Sequence, residues 1–452
     1  MGSTANLHGP DLFSKRLRFP PLRPPLCRNL PHEVRRHRLA GLLRPRRERI
    51  ERGIRKRRPR VLARRPQLQV DPEPRRGGVQ RLDRDRRIPK RREHKVCPRA
   101  TRTPSPRIEA HARARCDAAD GAHVHGPAPA FGALAECQRR GIAANGKFIK
   151  IENSYFADIK REGEESQAIA VWASDGPIEI VNNYLEAAAE NILFGGAENA
   201  LGLVAADCVI RDNHLNKPIE WKGTKWNVKN FIEIKSGRRI KIENNLMTNN
   251  WQMAQEGTGV LFRTGEDSGP QAVVEDIEFT GNIMRGSGSA LNIFGGEGKG
   301  GRNLTVRNNL FEDISGKKYD GRGFFIKSTT FSNVVIENNT VIHDGSITIA
   351  YGDPVRGFVF RNNIVFNNEY GFFGDNVGPG KPALATYFPG AVITNNVIVG
   401  GKASDYGSSN FYPPAIGQIG FVDAAKGNYQ LDPNSPYAKR GFGGKSVGAS
   451  ID

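Results

Sequence analysis

"IKIENNLM", residues 240–247, sets an alternating apolar triplet before two asparagines and a hydrophobic pair. Written under itself, the chain returns the same template at "IKIENSYF" (149–156), "IEIVNNYL", "CVIRDNHL", "IEFTGNIM", "LTVRNNLF", "VVIENNTV", "FVFRNNIV" and "AVITNNVI" (391–398). The marking column is Ser154, Asn183, Asn213, Asn245, Asn282, Asn309, Asn339, Asn363 and Asn396, with gaps of 29, 30, 32, 37, 27, 30, 24 and 33 residues. A period near 30 is the signature of a solenoid. The unit carries β-branched and aromatic triplets with Gly, Asn and Asp turns, and nowhere a segment long and periodic enough for a helix. Each unit therefore reads as a coil of short strands, and successive coils pair in parallel about 4.8 Å apart. Asparagine suits the recurring bend, because its short amide tolerates left-handed backbone and can bond the equivalent Asn one coil away.

Composition divides the chain. The formal charge is +20 over 452 residues, but residues 1–130 carry +23 and the remainder −3. In the first part Arg outnumbers Lys 31 to 4, Pro recurs, and stretches such as "RPRRERIERGIRKRRPRVLARRP" (44–66) show no sustained period of two or 3.6, so no packed core can be read there. Three readings stand: an Arg-rich tail that binds nucleic acid through phosphates, a plain disordered extension, or GC-rich DNA translated out of frame. The last accounts best for the Arg/Pro/Ala/Gly mixture and for the abrupt change of texture near "QRRGIAANGKFIKIENSYF" (138–156). The expected division is a disordered, low-complexity segment over 1–135 and an all-β solenoid over 136–452, closed by a segment from about 412. No nucleic-acid partner is assigned despite the basic first part, no run of about 18 apolar residues suggests a membrane span, and a monomer is expected. An export signal is not visible. Of five cysteines, Cys208 alone falls in the repeat and reads as a packed thiol; no zinc spacing or disulfide framework follows.

Upstream of each Asn corner lies a second short strand: "AVWA" (170–173), "ILFG" (192–195), "IEIK" (232–235), "VLFR" (260–263), "NIFG" (292–295), "FFIK" (324–327), "TIAY" (348–351) and "GFFG" (371–374). Alternation puts first and third members in the core and second and fourth members outside. This aligns Leu193 and Gly195, Glu233 and Lys235, Leu261 and Arg263, Ile293 and Gly295, and Phe325 and Lys327 on one external sheet. Lys235 and Arg263 become neighbours on adjacent coils, with Glu233 beside Lys235 and glycines leaving room for a polymer. Like charges at one strand spacing repel, so they share an anion or carboxylate, or one has a lowered pKa.

The nine-coil pattern resembles the right-handed parallel β-helices of the pectate lyase-like superfamily over roughly residues 140–452. The tail "NYQLDPNSPYAKRGFGGKSVGASID" (428–452) is similar to the closing segment common in that group. Such folds begin with a cap and earlier coils that cannot be read here, so the first coil is expected to present an uncovered sheet edge. "IKS" (234–236), followed one coil later by "VLFRTG" (260–265), is similar to the chondroitinase B and alginate lyase family. That resemblance implies a polysaccharide lyase with Lys235 as base and Arg263 as its partner at the leaving group. Glu233 joins them as a third catalytic candidate, and Lys327, Trp221 and Trp226 are substrate-binding candidates, the two tryptophans as stacking surfaces for sugar rings. That family also holds calcium through acidic and amide residues several positions before the lysine, where this chain has Asn230 and no acid. No metal ligand is assigned, and calcium is the one cofactor the resemblance allows.

The residue types suit β-elimination from a uronate. The reaction removes the proton next to a carboxylate, which asks for fixed positive charge and a base that is neutral at working pH. Hydrolysis is the rival, requiring carboxyls about 5–5.5 or 6.5–9.5 Å apart; Asp175, Glu190 and Glu233 fall on neighbouring coils, while Glu190, Asp175 and His214 each read first as turn or surface residues. A third reading is a carbohydrate-binding or surface β-helix without catalysis. A polysaccharide partner and a secreted or periplasmic setting follow from the resemblance.

Overall fold

The computed structural model describes residues 138–451; the reading of 1–135 as foreign or disordered sequence lies outside the described residues. Three parallel sheets of nine strands each run the length of the repeat, and every coil contributes one strand to each sheet. The first sheet begins at Arg140–Ala143 and ends at Phe372–Gly374, the second runs from Ile149–Glu152 to Val392–Thr394, and the third from Tyr155–Ile159 to Val397–Val399. The chain is a right-handed parallel β-helix, the fold the Asn register predicts.

The core is a continuous stack inside the coils. Ile151, Ile180, Ile210, Ile242, Phe279, Val306, Ile336 and Phe360 come from the second sheet, each 0 % exposed. Aromatic contacts thread it from Phe262 through Phe279, Phe311 and Phe325 to Phe360. Cys208 is buried and unpaired by any disulfide, as expected of a packed thiol.

The two asparagines of each corner divide the labour expected of one. The first member takes the left-handed backbone: φ is 53° at Asn153, 54° at Asn182, 55° at Asn244 and 57° at Asn395, with Asp212 and Gly281 filling the same position elsewhere. Left-handed conformation is cheapest for Gly, Asn and Asp. The second member is buried and forms the ladder. Asn183 Nδ2 donates to Asn213 Oδ1 at 2.9 Å, Asn213 to Asn245 at 3.0 Å, and Asn245 to Asn282 at 2.9 Å, and the series continues through Asn396 to Asn410. Each Nδ2 also donates to a backbone carbonyl of the preceding coil, as Asn245 does to Ile210 at 2.9 Å. Asn410 extends the column one step beyond the nine corners read from the repeat.

The closing segment runs back along the shaft. Its Ile419 and Val447 pack against Ile364, Val397 and Val399 of the third sheet. Corner asparagines hold it: Asn338 Nδ2 donates to the Ser446 carbonyl at 3.0 Å, Asn362 Oδ1 accepts from Phe442 N at 2.7 Å, and Asn308 Oδ1 accepts from Ser450 N at 2.7 Å. Arg140–Ala143 stands at the other end of the first sheet, and what faces its free edge falls outside the described residues.

Candidate active-site cleft

The outer face of the first sheet carries the cleft, and strand register decides which side chains reach it. Ile232 pairs with Ile192 and Val260, Glu233 with Leu193 and Leu261, and Ile234 with Phe194 and Phe262. The next residues, Lys235 and Arg263, therefore follow one another on adjacent coils, as alternation predicts. One coil further on, the expected alignment slips by one. Leu261 pairs with Asn292 and Arg263 with Phe294, so Asn292 and Phe294, not Ile293 and Gly295, continue the outward columns. Asn292 then pairs with Lys327, which places Lys327 in the column of Glu233 rather than that of Lys235. Phe325 is turned into the core, 0 % exposed, against Phe311. In the second described coil, Ile169 and Val171 point inward while Ala170 stands in the outward column with Leu193. Short hydrophobic strands read equally well in either register, and only pairing with the neighbouring coil fixes it.

Lys235, Arg263 and Lys327 still meet in one cleft of about 610 Å³, with Glu233, Leu261 and Asn292 among the strand residues lining it and Glu256, Asp267, Glu297 and Tyr351 contributed by loops. Each cation has a loop carboxylate. Lys235 Nζ lies 2.5 Å from Asp267 Oδ2, Lys327 Nζ lies 2.7 Å from both oxygens of Glu256, and an Arg263 nitrogen lies 3.3 Å from Glu297 Oε1. Arg263 also covers the Phe294 ring at 4.6 Å and Lys327 the Tyr351 ring at 5.3 Å. Gly265 lies close beside Lys235: a Cβ there would come 2.5 Å from Asp267 Oδ1 and 3.1 Å from Lys235 Cδ, so the Asp267 side chain would have to shift.

The charge of Lys235 departs from the expectation that Arg263 lowers its pKa. Burial does act downward, yet the charge of Glu233 and the hydrogen bond that Lys235 donates to Asp267 outweigh it, and the ammonium is held above its usual range. Repulsion across the two coils is answered by carboxylates, the first of the two ways out that like charges at this spacing allow.

Trp221 and Trp226 do not line this cleft. They are 6 and 7 % exposed and pack with Ala188, Val228, Trp251 and Tyr319 under the loops of the third-sheet side, with the Lys160 ammonium 4.7 and 5.2 Å from their rings. Aromatic residues in long insertions bury more apolar area by packing under them than by facing water. His214 faces away from the cleft too, on the third sheet, with Nε2 2.8 Å from Thr248 Oγ1. Asp175 is bound to Lys147 at 2.5 Å.

Below Lys235 lies a buried ionic group. Lys229 Nζ is 2.7 Å from Glu190 Oε1, 2.9 Å from Glu165 Oε1 and 3.9 Å from Glu233 Oε2. Attraction to these carboxylates outweighs burial and raises the Lys229 pKa above its usual range. This bears on calcium. Among the described residues no group of three His, Cys, Asp or Glu side chains is disposed to hold a metal ion. The cation at the centre of the acidic cluster is the chain's own ammonium, and the Asn230 amide donates to the Thr258 carbonyl at 2.7 Å. The carboxylates of this cluster are matched by the chain's own ammonium groups, which leaves no acidic set for a calcium ion among the described residues.

Sequence reasoning missed Glu256, Asp267, Glu297 and Lys229, and read as a turn or surface residue Glu190, which is 0 % exposed beside Lys229. A signal for Asp267 and Glu297 exists: "TGED" and "GGEG" follow directly on outward-facing strands of adjacent coils, where a loop carboxylate falls beside the cation of the preceding coil.

The family model described as "Right handed beta helix region" matches residues 208–379. No curated protein is significantly similar to this chain. Among solved structures, a complex of XylC with xylose is similar at 12 % identity, covering 60 % of this chain and 48 % of that one, with a TM-score of 0.34. A tailspike protein mutant of E. coli bacteriophage HK620 in complex with a pentasaccharide is similar at 11 % identity, covering 59 % and 44 %, also with a TM-score of 0.34. This chain thus spans under half the length of either. Among the described residues no helix is long and apolar enough to cross a membrane.

Proposed function

We propose that the protein is a carbohydrate-active β-helix protein, a secreted or periplasmic monomer, whose cleft holds a uronate-containing polysaccharide and cleaves it by β-elimination. The observation that carries this reading is the cationic wall: Lys235, Arg263 and Lys327 enter one 610 Å³ cleft from the strands of three coils, and their partners Asp267, Glu297 and Glu256 all come from loops. A polymer carboxylate can replace a loop carboxylate at a cation without net loss of ion pairs. Asp267, with 46 % of its side chain exposed, is placed to yield.

In this reading the substrate carboxylate lies against Arg263, which stabilises the charge that develops on it as the neighbouring proton leaves. Lys235, freed from Asp267 and enclosed by substrate, takes that proton. Burial, which favours the neutral amine, is then opposed by Glu233 and no longer by Asp267. The bond to the departing sugar breaks as the double bond forms.

A panel of pectate, alginate, chondroitin and heparin-like chains, assayed with and without calcium for the absorbance of unsaturated ends, tests the reading. Elimination on at least one polymer is expected, abolished in Lys235→Ala with the circular dichroism unchanged. Retained activity in that variant removes Lys235 from the chemistry. The buried carboxyl Glu233 at the cleft floor favours hydrolysis as the second reading, which new reducing ends without that absorbance would support. Binding without either signal would leave a non-catalytic module.

A further inference from the structure

Glu190 opens the strand Glu190–Phe194 and Glu233 lies in the next strand of the same sheet, Ile232–Ile234. Stacking of the two coils turns both carboxyls toward one ammonium, with Lys229 Nζ 2.7 Å from Glu190 Oε1 and 3.9 Å from Glu233 Oε2, at 0 and 1 % exposure. Neither Glu190 Oε1 nor Glu233 Oε2 has an aligned donor; Lys229 approaches the first at 2.7 Å as an ion pair. The other Glu190 oxygen accepts from Gln167 Nε2 at 2.9 Å. In register on either side of Glu233 are Leu193 and Leu261, which offer nothing polar.

Two ammonium groups serve four carboxyls here. Lys229 is shared by Glu165, Glu190 and Glu233, and Lys235 by Asp267 and Glu233. Lys217, which also faces Glu190, already donates to the carbonyls of Ala187, Ala188 and Ala189 and to Asn191 Oδ1. Glu165 and Asp267 reach solvent. Two buried carboxylates that both face Lys229 cannot both stay charged while its ammonium and that of Lys235 are divided among four carboxyls, and a proton between them supplies the donor that both orphaned oxygens lack.

We propose that Glu190 and Glu233 share a single proton and that Glu233, which lines the cleft floor, delivers it to the oxygen of the departing sugar. Delivery rests on the cleavage reading above; the shared proton does not. In the elimination, the proton next to the carboxylate goes to Lys235, the bond to the leaving oxygen breaks with its electron pair, and that oxygen takes the Glu233 proton. Solvent later restores both groups. Glu190 touches no substrate and acts as a positioning residue, holding the proton on Glu233 by its own negative charge.

Isotope-edited infrared spectroscopy of the full chain, with carbon-13 glutamate, reads the proton directly. At neutral pH one protonated carboxyl band is expected, absent in Glu233→Gln, whose amide can donate to Glu190 and keep the fold. In Glu190→Gln the band titrates at lower pH, and one limb of the pH–rate profile on the cleaved polymer moves by the same amount. No such band at neutral pH, or a band that survives Glu233→Gln, overturns the shared proton. A band that moves while both limbs stay fixed overturns delivery. If no polymer is cleaved, the cleavage reading and delivery fail together, and the infrared result alone decides the shared proton.

Discussion

A corner asparagine pair looks redundant in sequence, and the two members carry different physical loads. Asn244 holds φ at 55°, and Asn245 is buried with its amide engaged on both sides: it accepts from Asn213, and donates to Asn282 and to the Ile210 carbonyl. Asn245→Ala should cost on the order of 3 kcal/mol, since it orphans buried groups on two neighbouring coils. Asn244→Gly should be near neutral, and Asn244→Val should cost about 1–3 kcal/mol because a β-branched residue resists left-handed backbone. Urea denaturation of the three variants checks the order. Glu233 gives a second expectation at this scale. Burial, with the charge of Glu190 adding to it, pushes its pKa up to about 7 from 4.5. The folded state then holds more protons than the unfolded chain between about pH 4.5 and 7. Stability should therefore fall as pH rises through that window, and the slope should vanish in Glu233→Gln. A wild-type stability that climbs with pH over the same range would contradict the assignment. The same residues show what sequence reasoning could see: nine corners in register, eight with Asn in the marking column, were legible because each repeats, whereas the proton on one Glu depends on a partner 43 positions away.

At the level of elements, the cleft is a strand wall faced by loops, and the two are legible to different degrees. Lys235 and Arg263 follow from alternation on adjacent coils; Lys327 reaches the cleft by another column because Leu291, not Asn292, turns inward opposite Val260. The loop carboxylates have no repeat to mark them. Asp267 lies in the short turn Glu266–Ser268, and its bond adds to the charge of Glu233 in holding the Lys235 pKa above its usual range against burial. Asp267→Asn should lower the Lys235 pKa, read by lysine NMR titration, and should raise turnover at neutral pH if the neutral amine is the base. An unmoved Lys235 midpoint would show that Asp267 does not set its charge. Arg263→Ala should cut turnover by a factor of about 10²–10³ with little effect on the fold, as expected when a group that stabilises developing charge is removed. A change confined to KM would instead make Arg263 a binding residue.

For the whole molecule, a solenoid holds together through nearest-neighbour contacts, and the closing segment adds a strap across several coils. Val447 is 1 % exposed against the third sheet, and the strap also binds Asn308, Asn338 and Asn362. Val447→Asp should release it, and hydrogen exchange should then quicken in the coils around residues 308–399 while those around 149–248 keep their protection. Uniform loss over the whole shaft would mean a single cooperative unit instead.

By itself the sequence determined the coil, because an alternating triplet and a bend residue recurring about every 30 positions can satisfy backbone and core only by winding and stacking. Tertiary structure alone decided the chemistry of the cleft. The register of short hydrophobic strands, the burial of Trp221 and Trp226, and the carboxylates that meet Lys235, Lys327 and Lys229 are set by which coil lies beside which. The charge of a lysine or a glutamate follows from neighbours in space, and those neighbours come from distant turns of the chain.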